Sequence, residues 1–420
     1  MTAINITDDT KAIALLCASL GRDQTVIPLR QGEYNGLARW LLTMKMRPKD
    51  LFHTDIVKAA SNGSGIDHDR LKSLLARGVK LGFCVEEWQK HGIWLISRSD
   101  KDYPKNYKKH LKDKSPPLLF GIGQQTLLQN GGIAIVGSRN VDAEGESFTQ
   151  SVGQICAFNK MIVISGGARG VDQIAMKSSI EAGGTAIGVL AENLLKKSLE
   201  RSARHAIARG QLVLISPYHP NARFTVGTAM GRNKLIYALA DYGLVVSAEY
   251  KKGGTWSGAA EELKRANAIT VFSRQGLNVP PGNRRLLELG AMEWPGKTIQ
   301  GNLKKQLDDL AARKQLKHMD LFDFKKLPPQ EQDEEVQEKD PSVQTISKNE
   351  IANPGKAIYE AVLPVIIKQL ESPATVDQLS ETLDVSKTQL NSWLKKASVE
   401  GKIQKLARPS RYCRTDARSH

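Results

Sequence analysis

The chain has 420 residues, with 60 Lys and Arg against 44 Asp and Glu, which gives a formal net charge of +16. This length predicts two to four domains, and the basic excess favours a polyanionic partner, with nucleic acid ahead of a membrane surface and a merely soluble basic protein as the alternative. No apolar run approaches the roughly 18 residues of a membrane-spanning helix.

The cysteines and histidines argue against a metal centre or a disulfide framework. The four cysteines, Cys17, Cys84, Cys156 and Cys413, are widely scattered and form no C-x-x-C pair, and no H-E-x-x-H occurs. Two aspartates near the beginning of the sequence stand where a secretory signal carries positive charge. We therefore expect a cytoplasmic protein with no membrane association, no metal and no cofactor.

Residues 1–125 predict a helical N-terminal domain and a lead-in of short strands and turns. Apolar residues in NGLARWLLTMKM and DRLKSLLARGVKLGF recur at three- and four-residue spacing, which is typical of amphipathic helices. The second of these helices is expected to end at Gly82 or in the turn before it. The lead-in, HGIWLISRSDKDYPKNYKKHLKDKSPPLLFGIG, is punctuated by prolines, which favour strands and turns over a helix.

Residues 126–300 alternate strictly between apolar strands and helices. Strands such as GGIAIVGSR, KMIVISGG and QLVLISPY contain unbroken runs of apolar residues, which indicates burial on both faces of a parallel sheet. Helical segments such as EGESFTQSVGQICAF and VDQIAMKSSIEAG lie between them. The alternation predicts an α/β fold with a Rossmann-like, doubly wound parallel sheet, flanked by the helical N-terminal domain and by a C-terminal domain.

The end of the chain predicts a linker and a small domain. Residues 301–353 include the proline- and acid-rich stretch PPQEQDEEVQEKDPSVQ and are expected to form an acidic flexible linker. Residues 354–415 predict helices followed by a β-hairpin, the arrangement of a winged-helix domain. Thr375 and Ser386 are the expected N-caps. The expected core positions of this domain are Leu379, Leu383, Leu390, Trp393 and Leu394.

Four segments that follow predicted strands combine glycine or serine with a basic residue. Ligands of open α/β sheets bind at this edge, where glycine lets the backbone approach an anion, and backbone N–H groups with arginine forks suit phosphate oxygens. One such loop is weak support, but four in order predict a DNA- or phosphate-binding site. Its candidate residues, segment by segment, are Gly137, Ser138 and Arg139; Ser165, Gly166, Gly167, Arg169 and Gly170; Arg232, Asn233 and Lys234; and Gly253, Gly254, Thr255 and Ser257.

The sequence also predicts the positions of two of these segments and possible roles for residues around them. The stretch GRNKL is expected at the beginning of a helix, and KKGGTWSGAAEE is expected to form a loop of small residues. Asp172 is expected either to hold its loop by hydrogen bonds or to touch the ligand. Tyr218, Tyr250 and Trp256 are candidates for stacking on a base, a contact worth about 1–3 kcal/mol, or for packing in the core. Trp256 is the strongest of the three because it interrupts the loop of small residues.

Common nucleotide-binding motifs do not fit the sequence. No G-x-G-x-x-G follows the first strand of the α/β region, which disfavours a nicotinamide- or flavin-dependent oxidoreductase. The stretch GAMEWPGKT is superficially similar to a P-loop, but Ala291 stands where the spacing requires glycine, and the stretch follows a helix. We interpret it as a chance match.

The motifs IAIVGSR, SGGARGVDQIA, GRNKLI, SGAA and PPGNRRLLELGA, taken in this order, resemble the DNA-processing protein A family, also called DprA or Smf. The resemblance covers residues 80–295 best and extends to the N-terminus, as a SAM-like domain, and to the winged-helix tail. It implies a cytoplasmic protein that binds single-stranded DNA, forms homodimers and loads a RecA-type recombinase in DNA recombination, as in natural transformation. The family's nucleic-acid pocket corresponds to the first three segments above, and no catalytic residue is implied.

The sequence departs from the family pattern at several positions. Gly167 stands in place of a leucine, and Lys234 stands in place of an arginine. AENLLKKSL replaces a G-x-G-L-D motif after the third strand of the α/β region, and FSRQG replaces A-V-P-G after the last one. These departures indicate a divergent branch of the family, for which defence against foreign DNA is an alternative role.

An enzyme is the main rival hypothesis. GGTWSGAAEE is similar to the phosphate loop of the Lonely-Guy-like nucleotide phosphoribohydrolases, which cleave the N-glycosidic bond of nucleoside monophosphates. In that alternative Glu261 or Glu262 stabilises an oxocarbenium-like ribose while Arg169 holds the phosphate. The simpler reading places both glutamates near a helix N-terminus, where the helix dipole favours acids. Lys252 stands where the enzyme loop has proline, which weakens the match.

A third hypothesis is a transcription regulator that reads duplex DNA with its winged helix and senses a nucleotide in the Rossmann-like domain. In the single-strand-binding reading too, the winged helix would add contact with duplex DNA, through Lys387, Lys395, Lys396 and Arg411. Winged helices serve equally as protein-interaction modules, and both uses remain open at this point.

Overall fold

The structure is a computed structural model. It describes residues 6–21, 26–296, 301–323, 354–370, 372–383, 385, 387–406 and 411–415, and within these ranges only the backbone of 314–323, 354–358 and 387–389. The chain divides into two compact units, Met1–Pro328 and Pro329–His420. Among the described residues, none of the helices is both long enough and apolar enough to span a lipid bilayer.

The first unit begins with helices, as the sequence predicts. They are α1 (Asp8–Cys17), α2 (Gln31–Thr43), α3 (Thr54–Ser64), α4 (His68–Leu75) and α5 (Gly78–Lys90). The prediction of a single helix over DRLKSLLARGVKLGF is wrong, because this stretch belongs to two helices, α4 and α5, and Gly82 lies inside α5. The break is held by Arg77, whose guanidinium donates to the backbone carbonyls of Leu15 and Ala18 at the end of α1.

A nine-stranded sheet forms the centre of this unit. Its strands are β1 (Trp94–Ser97), β2 (Leu118–Ile122), β3 (Ile133–Gly137), β4 (Val163–Ser165), β5 (Ala186–Val189), β6 (Leu212–Ser216), β7 (Tyr242–Ser247), β8 (Thr270–Ser273) and β9 (Met292–Glu293). The helices between them are α6 (Lys105–Leu111), α7 (Ala143–Phe158), α8 (Val171–Glu181), α9 (Leu194–Leu199), α10 (Arg201–Ala208), α11 (Val226–Leu239), α12 (Gly253–Leu263) and α13 (Pro281–Glu288). Helix α6 lies in the lead-in, where only strands and turns were predicted.

The strand order is β1-β2-β6-β5-β4-β3-β7-β8-β9. All pairings from β6 to β9 are parallel, whereas β1 pairs antiparallel with β2 and β2 antiparallel with β6. The α/β fold with a parallel-dominated sheet is therefore confirmed. From β3 the chain continues to β4, β5 and β6, which lie in turn on one side of β3. After β6 it crosses to β7, which lies on the other side of β3. This reversal is the topological switch point, where such sheets bind ligands at the carboxyl ends of the strands.

Both faces of the sheet are buried, as unbroken apolar strands predict. Ile133 and Ile135 of β3 belong to a core cluster that includes side chains of α7, α8 and the N-terminal helices. Ala134 and Val136, which point to the opposite face, belong to a second cluster with side chains of α11 and α12. The helices on the two faces fix the loops that meet at the carboxyl edge.

Helix α14 (Leu303–Asp323) occupies the first part of the range that the sequence assigned to a flexible linker. Leu303 and Leu307 are buried against the first core cluster, and the side chain of Asn159 at the end of α7 accepts a hydrogen bond from the Leu303 amide at 2.9 Å. The i, i+4 spacing of these leucines is a helical signal that the acidic stretch downstream obscured. That stretch, PPQEQDEEVQEKDPSVQ, lies outside the described residues.

The second unit contains α15 (Pro354–Gln369), α16 (Val376–Thr382), α17 (Lys387–Val399) and an antiparallel pair, β10 (Ile403–Leu406) and β11 (Arg411–Arg414). Thr375 caps α16 and forms a capping box with Gln378, as predicted. Ser386, the other expected cap, lies outside the described residues. Of the expected core positions, Leu379, Leu390 and Leu394 are buried, and Leu383 and Trp393 are packed against them.

Candidate nucleic-acid interface

A cavity of about 530 Å³ opens at the carboxyl edge of the sheet, at the switch point beside β3 and β7. Eight of the residues predicted from sequence line it, namely Gly137, Ser138, Arg139, Arg232, Asn233, Gly253, Gly254 and Thr255. The other predicted residues, Ser165, Gly166, Gly167, Arg169, Gly170, Lys234 and Ser257, are not among its lining residues. The four segments therefore meet at one edge, but they contribute in different ways.

The segment after β3 and the first turn of α12 are joined directly. The hydroxyl of Thr255 donates to the carbonyl of Gly137 at 3.1 Å. The hydroxyl of Ser138 bridges the backbone two residues on, donating to the Asn140 carbonyl at 2.9 Å and accepting from the Asn140 amide at 3.1 Å. This local turn leaves Arg139 on the cavity wall, with its guanidinium 5.6 Å from the ring centroid of Phe224.

The segment after β4 shapes the segment after β3. Gly170 has φ +86°, and a Cβ atom there would lie 2.6 Å from the carbonyl oxygen of Arg139, so that only glycine allows this approach. Arg169 donates to the side-chain oxygen of Asn140 at 2.6 Å. Ser165 is fully buried and its hydroxyl donates to the carbonyl of Ile135 at 2.6 Å. These residues hold the wall of the cavity and do not form its surface.

Asp172 holds its own loop, which is the first of the two readings that the sequence allowed. Its carboxylate accepts from the amides of Gly166 at 3.2 Å and Ala168 at 3.4 Å, and it lies 3.8 Å from the guanidinium of Arg232. Burial raises the pKa of the Asp172 carboxyl, and the neighbouring Arg232 charge opposes that increase. Asp172 also borders the cavity.

Arg232 is a buried cation and not a flexible fork at a helix N-terminus. Helix α11 begins at Val226, with a capping box between Thr225 and Thr228, so that GRNKL lies inside the helix and its predicted position is wrong. Arg232 is 7% exposed, and burial lowers the pKa of its guanidinium. Its Nε atom is buried and has no hydrogen-bond partner among the described residues. Lys234 is not among the residues that line the cavity.

The segment after β7 is the beginning of a helix and not a loop. Helix α12 starts at Gly253, and its N-cap residue Lys252 makes no side-chain capping bond. The first backbone N–H groups of a helix lack intrahelical acceptors and carry the positive end of its dipole. Gly253, Gly254 and Thr255 present this end to the cavity. The sequence carries a signal for the beginning of α11 in the capping pair Thr225 and Thr228, whereas no comparable cap precedes α12.

The exposed aromatic residue at the cavity is one that the sequence analysis missed. Phe224 lines the cavity and is 43% exposed. Tyr218 instead donates to the Thr228 carbonyl at 3.2 Å, and Tyr250 and Trp256 contact each other edge to face at 5.0 Å. Trp256 is part of α12 and packs against the core, so that its reading as an interruption of a loop is wrong.

The glutamates of the rival enzyme hypothesis lie far from the helix beginning. Both Glu261 and Glu262 are in the last turn of α12, which rules out the predicted favourable placement at its N-terminus. Glu262 is buried, accepts from the amide of Ile269 at 3.0 Å just before β8, and pairs with Arg265 at 2.9 Å. These contacts direct Glu262 to the amino ends of the strands, whereas the cavity is at their carboxyl ends. Among the described residues, no cluster of three or more potential metal ligands occurs.

Comparison with known proteins identifies relatives over the α/β region. The family model described as DNA recombination-mediator protein A matches residues 94–298. The DNA processing protein DprA of Bacillus subtilis is 30% identical over 234 residues, which cover 52% of this chain and 74% of that protein. Protein Smf of Synechocystis is 28% identical over 224 residues, about half of each chain, at 51% and 54%. The X-ray structure of DprA from Streptococcus pneumoniae aligns with a TM-score of 0.52 at 18% identity, over 69% of this chain and 95% of that one, and shows the same fold.

Proposed function

Because the chain belongs to the DNA recombination-mediator protein A family, DprA/Smf, we propose that it binds single-stranded DNA at the carboxyl edge of its sheet. We include in the proposal that it delivers the bound strand to a RecA-type recombinase, acts as a cytoplasmic homodimer and catalyses no reaction itself. The family's description as recombination mediators supports this role. The contacts below support the choice of ligand and site.

The observation that carries the proposal is the set of unsatisfied donors around one cavity. The buried Nε of Arg232 has no described partner, and the first turn of α12 has no side-chain cap. Arg139 and Lys252 add positive charge to the same wall. A buried donor without an acceptor is costly, at about 1–3 kcal/mol. A phosphate oxygen supplies the missing acceptor and suits both a guanidinium and a helix N-terminus.

The apolar part of the wall supports a nucleotide chain over a free inorganic anion. Phe224 is exposed beside Arg139, and the side chains of Val226 and Met230 are exposed nearby on the cavity wall. Bases of a single strand stack on aromatic rings regardless of sequence, and arginine beside the ring adds to this contact. Duplex DNA keeps its bases stacked inside and offers no such face. The arrangement therefore favours single-stranded over double-stranded DNA.

The second unit is included in the proposal as a winged helix. Its helices α15 to α17 and the β10–β11 hairpin follow one another in the order that such domains require. Lys395 and Arg411 are exposed, whereas the ammonium of Lys396 lies 3.9 Å from the ring centroid of Tyr359 and is engaged within the unit. The side chain of Lys387 lies outside the described residues. Contact with duplex DNA and contact with protein both remain compatible with this surface.

Fluorescence anisotropy with labelled oligothymidine and a matched duplex, across a salt series, tests the proposal. We expect tighter binding to the single strand, with log K falling against log salt at about −0.7 for each phosphate neutralised. Nucleoside monophosphates should compete weakly and release no free base. Equal or tighter binding to the duplex, or release of base, would contradict the proposal. Displacement of a single-strand-binding protein by recombinase, with and without this protein, tests the delivery step.

A further inference from the structure

The outward face of α10 is cationic along its whole length. Arg201, Arg204, His205 and Arg209 are exposed, and their spacing of three, four and eight residues places them on one side of the helix. They line a shallow hollow together with Leu199 and Ala208. This face lies on α10 and is separate from the cavity at the carboxyl edge, with which it shares no residue.

The charge on this face is not balanced locally. Helix α10 contains no acidic residue. No described residue forms an ion pair with Arg201 or Arg204 of the helix, or with Arg209 at its C-cap. The preceding Glu200 is already paired with Lys197 at 2.9 Å. Helix α7, whose side chains lie in the same core cluster, shows the opposite pattern, with glutamates in its first turn and no Lys or Arg. The cations are thus concentrated on α10.

The backbone connects this face to the mouth of the cavity. The amide of Asn193 donates to the carbonyl of Ala222 at 2.9 Å, and the amide of Leu195 donates to the carbonyl of Pro220 at 3.1 Å. These bonds fasten the beginning of α9 to the loop that carries Phe224, and α9 leads directly into α10. A strand that leaves the cavity over Phe224 therefore meets the polypeptide that continues into the cationic face.

We propose that the cationic face of α10 holds the phosphodiester backbone of the strand that leaves the cavity, as a second nucleic-acid contact. This inference rests on the proposed function. From Arg201 to Arg209 the helix rises about 12 Å, which spans about three phosphates of a stacked strand at roughly 3.4 Å each. Arginine suits this task because its planar guanidinium donates two parallel hydrogen bonds to phosphate oxygens.

The test compares two lengths of oligothymidine on the full chain, about six and about 25 nucleotides, bracketing the size of a compact single-strand site. The variant R201A/R204A/R209A should bind the long oligonucleotide about tenfold more weakly, and its salt slope should fall by about two units, since three phosphate contacts are lost at about 0.7 each. Affinity for the short oligonucleotide should stay within about twofold, because the cavity is intact.

A matched control removes three exposed lysines from α3, α4 and α5, in the variant K58A/K72A/K80A. This variant has the same net charge as the arginine variant and should bind both lengths as the wild type does. If the arginine variant bound the long oligonucleotide as tightly as the wild type does, the inference would be overturned, and an acidic protein would become the partner to test for this face. An equal loss for both lengths would also overturn it. Failure of the wild type to bind either length would reject the proposed function itself.

Discussion

The guanidinium of Arg232 lies 3.8 Å from the buried carboxylate of Asp172, in the space that a side chain at residue 166 would need. Asp172 in turn accepts the amides of Gly166 and Ala168. One ion pair thus ties the loop after β4 to the middle of α11 and sets the position of a cation on the cavity wall. Two segments far apart in sequence, the loop after β4 and α11, depend on this contact.

Gly166→Ala should weaken single-strand binding at least tenfold. The added Cβ atom would overlap the Arg232 guanidinium and lie 2.7 Å from the Asp172 carboxylate, so that Arg232 must move. Overpacking of this kind also destabilises a fold by about 1–3 kcal/mol. Anisotropy and urea unfolding on the same samples measure both effects. Gly36→Ala in α2 is the control, because no atom lies within 4 Å of its added Cβ. Unchanged DNA affinity of Gly166→Ala would show that Arg232 does not touch the ligand.

Asp172→Asn should change how stability depends on pH. Burial raises the pKa of Asp172 in the folded protein above the value of about 3.9 in the unfolded chain. Between these two values the folded state binds more protons, so that the free energy of unfolding falls as pH rises through this window. The asparagine variant lacks this term. We expect the wild type to lose stability relative to the variant as pH rises above about 4, measured by urea unfolding at several pH values. If the stability of the wild type relative to the variant stayed constant or increased with pH, the raised pKa of the buried Asp172 carboxyl would be contradicted.

Glu262→Gln should affect stability and leave DNA binding unchanged. The substitution removes the ion pair with Arg265 and weakens the bond to the Ile269 amide, for which we expect a loss of about 1–3 kcal/mol. Single-strand affinity should stay within about twofold, because this carboxylate lies at the other end of α12 from the cavity. A variant that folds normally but loses an activity toward nucleoside monophosphates would instead revive the phosphoribohydrolase hypothesis.

Thr375→Ala should loosen α16 in the second unit. The Thr375 hydroxyl accepts the Gln378 amide at 3.3 Å, and the Gln378 side chain accepts the Thr375 amide at 2.9 Å. Loss of such a cap costs about 1 kcal/mol. Hydrogen exchange of the amides in Val376–Thr382 should speed up about fivefold. Thr382→Ala, whose hydroxyl only donates to the helix carbonyl of Gln378, should change exchange far less, and equal effects would argue against the capping role.

The sheet and the position of the cavity could be predicted from the sequence because both follow from local patterns. Unbroken apolar strands indicate burial on two faces, and glycine-rich segments after such strands indicate the ligand edge. Gly137, Arg139 and Gly254 all line the cavity for this reason. The pattern of Leu379, Leu390 and Leu394 likewise identified the core of the second unit.

The roles of individual residues within the edge depended on contacts that no local pattern encodes. Whether Arg232 is a surface fork or a buried partner of Asp172 is decided by where α11 begins. Arg169 was predicted to touch the ligand, and the contact that the structure gives its guanidinium is with the side chain of Asn140. Phe224 was missed because the loop after β6 carries no glycine-and-cation signature, and its position follows from the path of the chain around α9. Such long-range placements require the structure.

The measurement that tests the central claim most directly is the anisotropy of labelled oligothymidine with Arg139→Ala, across the salt series. Arg39→Ala on α2 is the matched control, since among the described residues the Arg39 guanidinium donates only within its own helix, to the carbonyl of Asn35 at 3.3 Å. We expect Arg139→Ala to bind at least tenfold more weakly, with a shallower salt slope, because both a phosphate contact and the cation beside Phe224 are lost. Arg39→Ala should match the wild type. Equal affinities for the two variants would contradict a single-stranded DNA site at this edge of the sheet.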